Sequence, residues 1–125
     1  MARILGIGGI FFKASDTKAV SEWYKRVLGF DTLDWGGAMW PHGETGYTIW
    51  SPFAADTDYF APSTAQFMVN FVVDDLDGVL ARAKEAGVEP LGRDDADPNG
   101  RFAWLLDPVG VKIELWEPIP DPPST

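Results

Sequence analysis

The same punctuation occurs twice along the chain. Asp16 precedes Gly29 by 13 residues, and Asp74 precedes Gly87 by 13. Between the first pair, Val20, Trp23, Tyr24, Val27 and Leu28 recur at helical spacing; between the second, Leu76, Val79, Leu80 and Ala83 do so. Aspartate is a favoured helix N-cap and glycine a favoured terminator, so each stretch predicts one helix, the second capped by Asp74 or Asp75. A short apolar run precedes each helix, at residues 4–13 and 67–73. Three short runs follow each, at 30–35, 38–40 and 46–50, then at 88–91, 101–106 and 111–116. Turn residues separate them: Gly36-Gly37, His42-Gly43-Glu44 and Asp107-Pro108-Val109-Gly110. Residues 51–66, with Pro52 and Pro62, have no clean period and are expected to be a connecting loop.

A repeat of this kind predicts an α+β fold of two βαβββ modules. Eight strands would form one cupped sheet, with both helices outside and the inner strand faces lining the cup. The expected organisation is a single domain over residues 4–118, built from modules 4–51 and 67–117, with a proline-rich tail at 119–125.

Composition narrows the chemistry. The chain has 125 residues and no cysteine, which removes disulfides, thiolate metal sites and cysteine nucleophiles. Ten lysines and arginines face 19 aspartates and glutamates, a net charge of −9. Nucleic acids and anionic membranes call for a basic face, so neither is an expected partner. No apolar run approaches the roughly 20 residues of a membrane span, and residues 1–10 are too short and glycine-broken for a signal peptide. A soluble cytoplasmic protein is the expectation. The single histidine, His42, excludes a multi-histidine metal site within one chain. No Walker or dinucleotide-binding fingerprint is present.

Three segments carry a family resemblance. Asp16, Trp23-Tyr24 and Val27-Leu28-Gly29-Phe30 form the first. Val72-Val73-Asp74-Asp75-Leu76-Asp77 with Ala86-Gly87-Val88 forms the second, and Asp107-Pro108-Val109-Gly110-Val111-Lys112-Ile113-Glu114-Leu115 the third. In this order and spacing the chain resembles the vicinal oxygen chelate superfamily, which includes glyoxalase I, the bleomycin resistance proteins and extradiol dioxygenases. The resemblance spans about residues 6–118. It implies the two-module cupped fold and, by family habit, a homodimer. It does not fix the reaction.

Members that bind a metal do so with four inward side chains, two per module. The equivalent positions here are Gly9, a residue near Trp50, Met68 and Glu114. Only Glu114 is a hard oxygen ligand, so no cofactor is expected, and a divalent metal is not supported by the ligand positions. A site using His42, Glu44 and Glu114 would need a shifted register; the plainer reading of His42 is an exposed turn residue.

Counting in twos from these positions selects the inner face. It comprises Phe11 and Lys13, Thr48 and Trp50, Met68 and Asn70, Phe102 and Trp104, then Lys112, Glu114 and Trp116. Ile10, Phe12, Val69, Phe71, Val73, Ile113 and Leu115 then face outward, toward the helices. The aromatic inner residues either wall a ligand cavity or fill the cup as core. Glu114 is either a buried carboxylate satisfied by Lys13, Lys112, Asn70, Thr48 or a tryptophan N–H, or a ligand-orienting group or proton-transfer base. Lys13 is either a rim lysine or, by the resemblance, a contact for an anionic substrate. Trp23 and Tyr24 are expected in the core or a subunit interface. Asp94, Asp95 and Asp97 read as a solvated acidic loop.

Three functions compete. The first is a metal-independent binder of a small aromatic or amphipathic molecule, of the bleomycin-resistance kind. The second is a glyoxalase-like lyase or isomerase with a rearranged metal site or Glu114 as base. The third is a regulatory module acting through dimerisation.

Overall fold

The computed structural model describes residues 2–28, 30–41, 47–108 and 110–119. The elements run β1 (Ile4–Ala14), α1 (Thr17–Leu28), β2 (Ala38–Pro41), β3 (Tyr47–Ala54), β4 (Phe67–Val73), α2 (Leu76–Glu85), β5 (Gly92–Asp97), β6 (Gly100–Leu106) and β7 (Lys112–Pro118). The strands form one sheet in the order β2-β3-β1-β4-β7-β6-β5. In each half the first strand pairs in parallel with the last: β1 with β3, and β4 with β7. The halves join where β1 and β4 run antiparallel.

The predicted helix signals act as expected. Asp16 Oδ1 accepts from the Ala19 amide at 3.0 Å, and Asp75 Oδ1 from the Gly78 amide at 3.1 Å. Asp75 is thus the second cap, while Asp74 accepts from the Arg3 amide at 2.7 Å and ties the N-terminal segment to the start of α2. At the other end Gly87 takes φ +86°, the Val88 amide reaches the Ala83 carbonyl and the Gly87 amide the Lys84 carbonyl, a Schellman closure. Gly29, expected to end α1, lies outside the described residues, as does Val109 of the 107–110 turn.

Seven strands, not eight, occur among the described residues. Residues 30–35 form no strand, because the Leu33 amide and carbonyl bond locally to Gly37 and Gly36 in a tight turn, both at 2.8 Å. Residues 88–91 also stay irregular: they follow the Schellman glycine and contain Pro90, which has no amide to donate. The strand forms later, as β5, and takes in the expected acidic loop. There Asp95 bridges Arg93 and Arg101, which both also reach Asp77 of α2. Asp94 and Asp97 accept from the amides of Ala96 and Asn99.

Burial divides into two faces. Against α2, Val73, Leu76, Ala103 and Leu115 pack with Phe71, Val79, Leu80, Leu105 and Ile113. On the opposite, cup-facing side, Phe11, Phe60 and Met68 pack with Ile49 and Phe53. Two register shifts in β1, between Ile4 and Gly6 and between Ile7 and Gly9, each insert an extra residue. Ile4, Ile7 and Ile10, three apart, therefore oppose Val73, Phe71 and Val69 on one face. No helix among the described residues is long and apolar enough to cross a membrane.

Candidate functional site

The sheet aligns one row of residues across the floor of the cup. Ile49 pairs with Gly9, Gly9 with Asn70, Asn70 with Glu114, and Glu114 with Trp104. Asn70 and Glu114 are only 1% and 3% exposed. The Asn70 amide donates to Glu114 Oε1 at 2.7 Å, the Trp104 indole N–H to Oε2 at 2.8 Å, and the Tyr59 hydroxyl to Oε2 at 2.5 Å. Three donors thus converge on one buried carboxylate, the arrangement a buried charge requires. Burial, then the adjacent Glu114 charge, push the Tyr59 phenol well above its usual range.

Asn70 Oδ1 has no hydrogen-bond partner among the described residues. It rests against Gly8, where a Cβ would come within 2.0 Å of it and within 2.8 Å of Val72 Cγ2. Absence of a side chain at Gly8 is what makes room for the amide.

Above this row opens a cavity of about 1140 Å³. Its walls include Phe11, Ile49, Ser51, Phe53, Tyr59, Phe102 and Trp116, and its rim Leu33, Asp34 and Trp35. Phe102 lies nearly parallel to Trp116 and to Trp104, at 6° and 11°, with centroids 6.1 and 6.3 Å apart. The Trp116 indole donates to the Asn99 carbonyl at 2.9 Å. A second cavity of about 410 Å³ lies between the first turns of α1 and residues 32–36.

The expected site residues divide into groups. Phe11, Asn70, Phe102, Glu114 and Trp116 line the cavity. Met68 is fully buried beneath it, and Trp104 holds Glu114 without lining the wall. Lys13 stands at the edge with its ammonium 5.7 Å from the Phe60 ring centroid. Lys112 donates to the Tyr59 carbonyl at 2.6 Å, and burial lowers its pKa.

Thr48 and Trp50 require correction, because they lie on the other face. The parallel register sets Ile49 beside Gly9 and Ser51 beside Phe11, so Ile49, Ser51 and Phe53 face inward. A slip of one residue exchanges the faces of a strand. Trp50 packs instead on Tyr24, Phe30 and Phe12, at centroid distances of 4.4, 5.1 and 5.6 Å. Tyr24 is therefore a packing residue, whereas Trp23 is 45% exposed. Sequence reasoning missed Tyr59. The only signal was an aromatic pair, Tyr59-Phe60, in a loop with no clean period.

Of the metal-equivalent positions, Gly9 and Glu114 share the floor row with Ile49 and Asn70, Met68 lies two residues before Asn70 on β4, and Ile49 rather than Trp50 faces the cup. Glycine and isoleucine side chains offer no donor atom. The Asn70 amide nitrogen and both Glu114 oxygens are engaged with one another and with Trp104 and Tyr59. Among the described residues no group of three or more His, Cys, Asp or Glu could hold an ion. This donor set does not fit a divalent metal. His42 and Glu44 lie outside the described residues.

A mixed sheet of paired half-repeats with an internal cup, flanked by two helices, defines a protein of the vicinal oxygen chelate fold. Residues 9–116 match the model of the Glyoxalase-like domain, and the chain belongs to that family. Its fold is similar to methylmalonyl-CoA epimerase in complex with methylmalonyl-CoA and NH4+, at TM-score 0.72 and 19% identity over 97% of this chain and 100% of that one. The methylmalonyl-CoA epimerase of Mycobacterium tuberculosis gives 0.66 and 21%, over 94% and 90%. The 2,3-dioxygenase LapB of Pseudomonas sp. KL28 gives 0.64 and 20%, over 92% of this chain and 41% of that one. No curated protein sequence matches significantly.

Proposed function

We propose that this protein binds a small aromatic or amphipathic molecule in the cup without a metal. The observation that carries this reading is the Asn70–Glu114–Trp104–Tyr59 network at the base of an aromatic-walled cavity. Apolar walls with a few fixed polar atoms are the composition of a small-molecule site. The glyoxalase-like lyase or isomerase reading asks for a rearranged metal site or for Glu114 as a base, yet the two Glu114 oxygens already accept three hydrogen bonds. Binding is the better-supported role.

We propose also that the protein is a homodimer. Ile4, Ile7, Ile10 and Phe67 are each about half exposed on the helix-bearing side of the sheet, which supports burial against a second copy.

Calorimetric titration with quinoline, a neutral two-ring probe, tests the binding reading together with elemental analysis of the purified protein. Saturable binding is expected, unchanged by a chelator, with no stoichiometric divalent ion. A stoichiometric ion whose removal abolishes binding would overturn the metal-free reading.

A further inference from the structure

Resting on the binding reading above, we propose that the cup selects a cation: a flat apolar body carrying an amine or quaternary nitrogen, in preference to a carboxylate or a phosphate-bearing molecule. Among the described residues lining the cavity there are two carboxylates, Glu114 and Asp34, and no lysine or arginine. The donors that converge on Glu114 are all neutral, so they orient its charge without cancelling it.

The nearby ammonium groups do not line the cavity, although Lys112 stands close enough to Glu114 for their charges to attract. Lys112 is bonded to the Tyr59 carbonyl, lies 5.2 and 5.7 Å from the Tyr59 and Trp104 ring centroids, and does not line the cavity. Lys13 is held over Phe60 and does not line it either. Trp35, Phe102 and Trp116 add aromatic surface, whose faces attract cations. In a desolvated cup these attractions are stronger than in water. An anionic guest would meet like charge with no lining cation to offset it, and the overall charge of −9 works in the same direction at long range. The acyl-CoA held by the epimerase of similar fold carries phosphates, so its class of ligand is disfavoured here.

The test is calorimetric titration at neutral pH with three two-ring probes of similar size: N-methylquinolinium, quinoline and 2-naphthoate. The cation is expected to bind about tenfold tighter than quinoline, and naphthoate to bind weakest. Glu114→Gln should bring the cation-to-quinoline ratio near one. Asp34→Asn, at an exposed rim position, should lower it by about threefold without touching the Glu114 network. If Glu114→Gln fails to fold, Asp34→Asn and a fall of the ratio from low to high ionic strength decide the matter. Equal affinity for cation and neutral probe, or tighter binding of naphthoate, overturns the selectivity and leaves the binding reading standing. No heat with any of the three overturns both.

Discussion

Tyr59 and Glu114 stand 55 residues apart and meet through one hydrogen bond. Because burial and the Glu114 charge hold the phenol protonated, Tyr59 should ionise only well above the ordinary phenol range. The phenolate absorbance titration should lose a strongly alkaline step in Tyr59→Phe. The linkage has a definite sign. A folded pKa raised above the ordinary phenol value of 10.0 gives a contribution complete below that value and lost as pH climbs beyond it. Denaturant titrations at stepped alkaline pH should therefore show the parent protein losing more stability than Tyr59→Phe, which at neutral pH costs about 1 kcal/mol. At this scale the sequence was half legible. Glu114 and Asn70 stand out as polar residues on an apolar strand face. Tyr59 does not, because a loop has no period to say which way a side chain points.

Both helices were legible because capping chemistry is local: an aspartate before the first turn of each and, for α2, a glycine after the last. Strand β3 was not, since its register depends on the partner strand and on the length of the connection before it. Trp50 shows the consequence. Its ring packs against α1, so Trp50→Ala should destabilise the fold by roughly 3 kcal/mol while leaving quinoline affinity within about twofold, as read by denaturation and calorimetry. A cup residue would give the opposite pattern. The bulges of β1 were equally invisible, although they decide that Ile4, Ile7 and Ile10 share a face rather than alternate.

For the whole molecule, the repeat predicts the architecture but hides the asymmetry between its halves. Asn70, Glu114 and Trp104 share one row with Gly9, Ile49 and Met39 of the other half, so one half carries the polar network and the other a nearly plain wall. The exposed isoleucine stripe yields a prediction at this level. Light scattering should report a dimer, and Ile10→Lys should shift it to monomer with the circular dichroism spectrum retained. One further property follows from residues 32–35, which line both cavities. The two cavities are thus divided by one short turn, so a change of side-chain volume at any of these four positions redraws the outline of both.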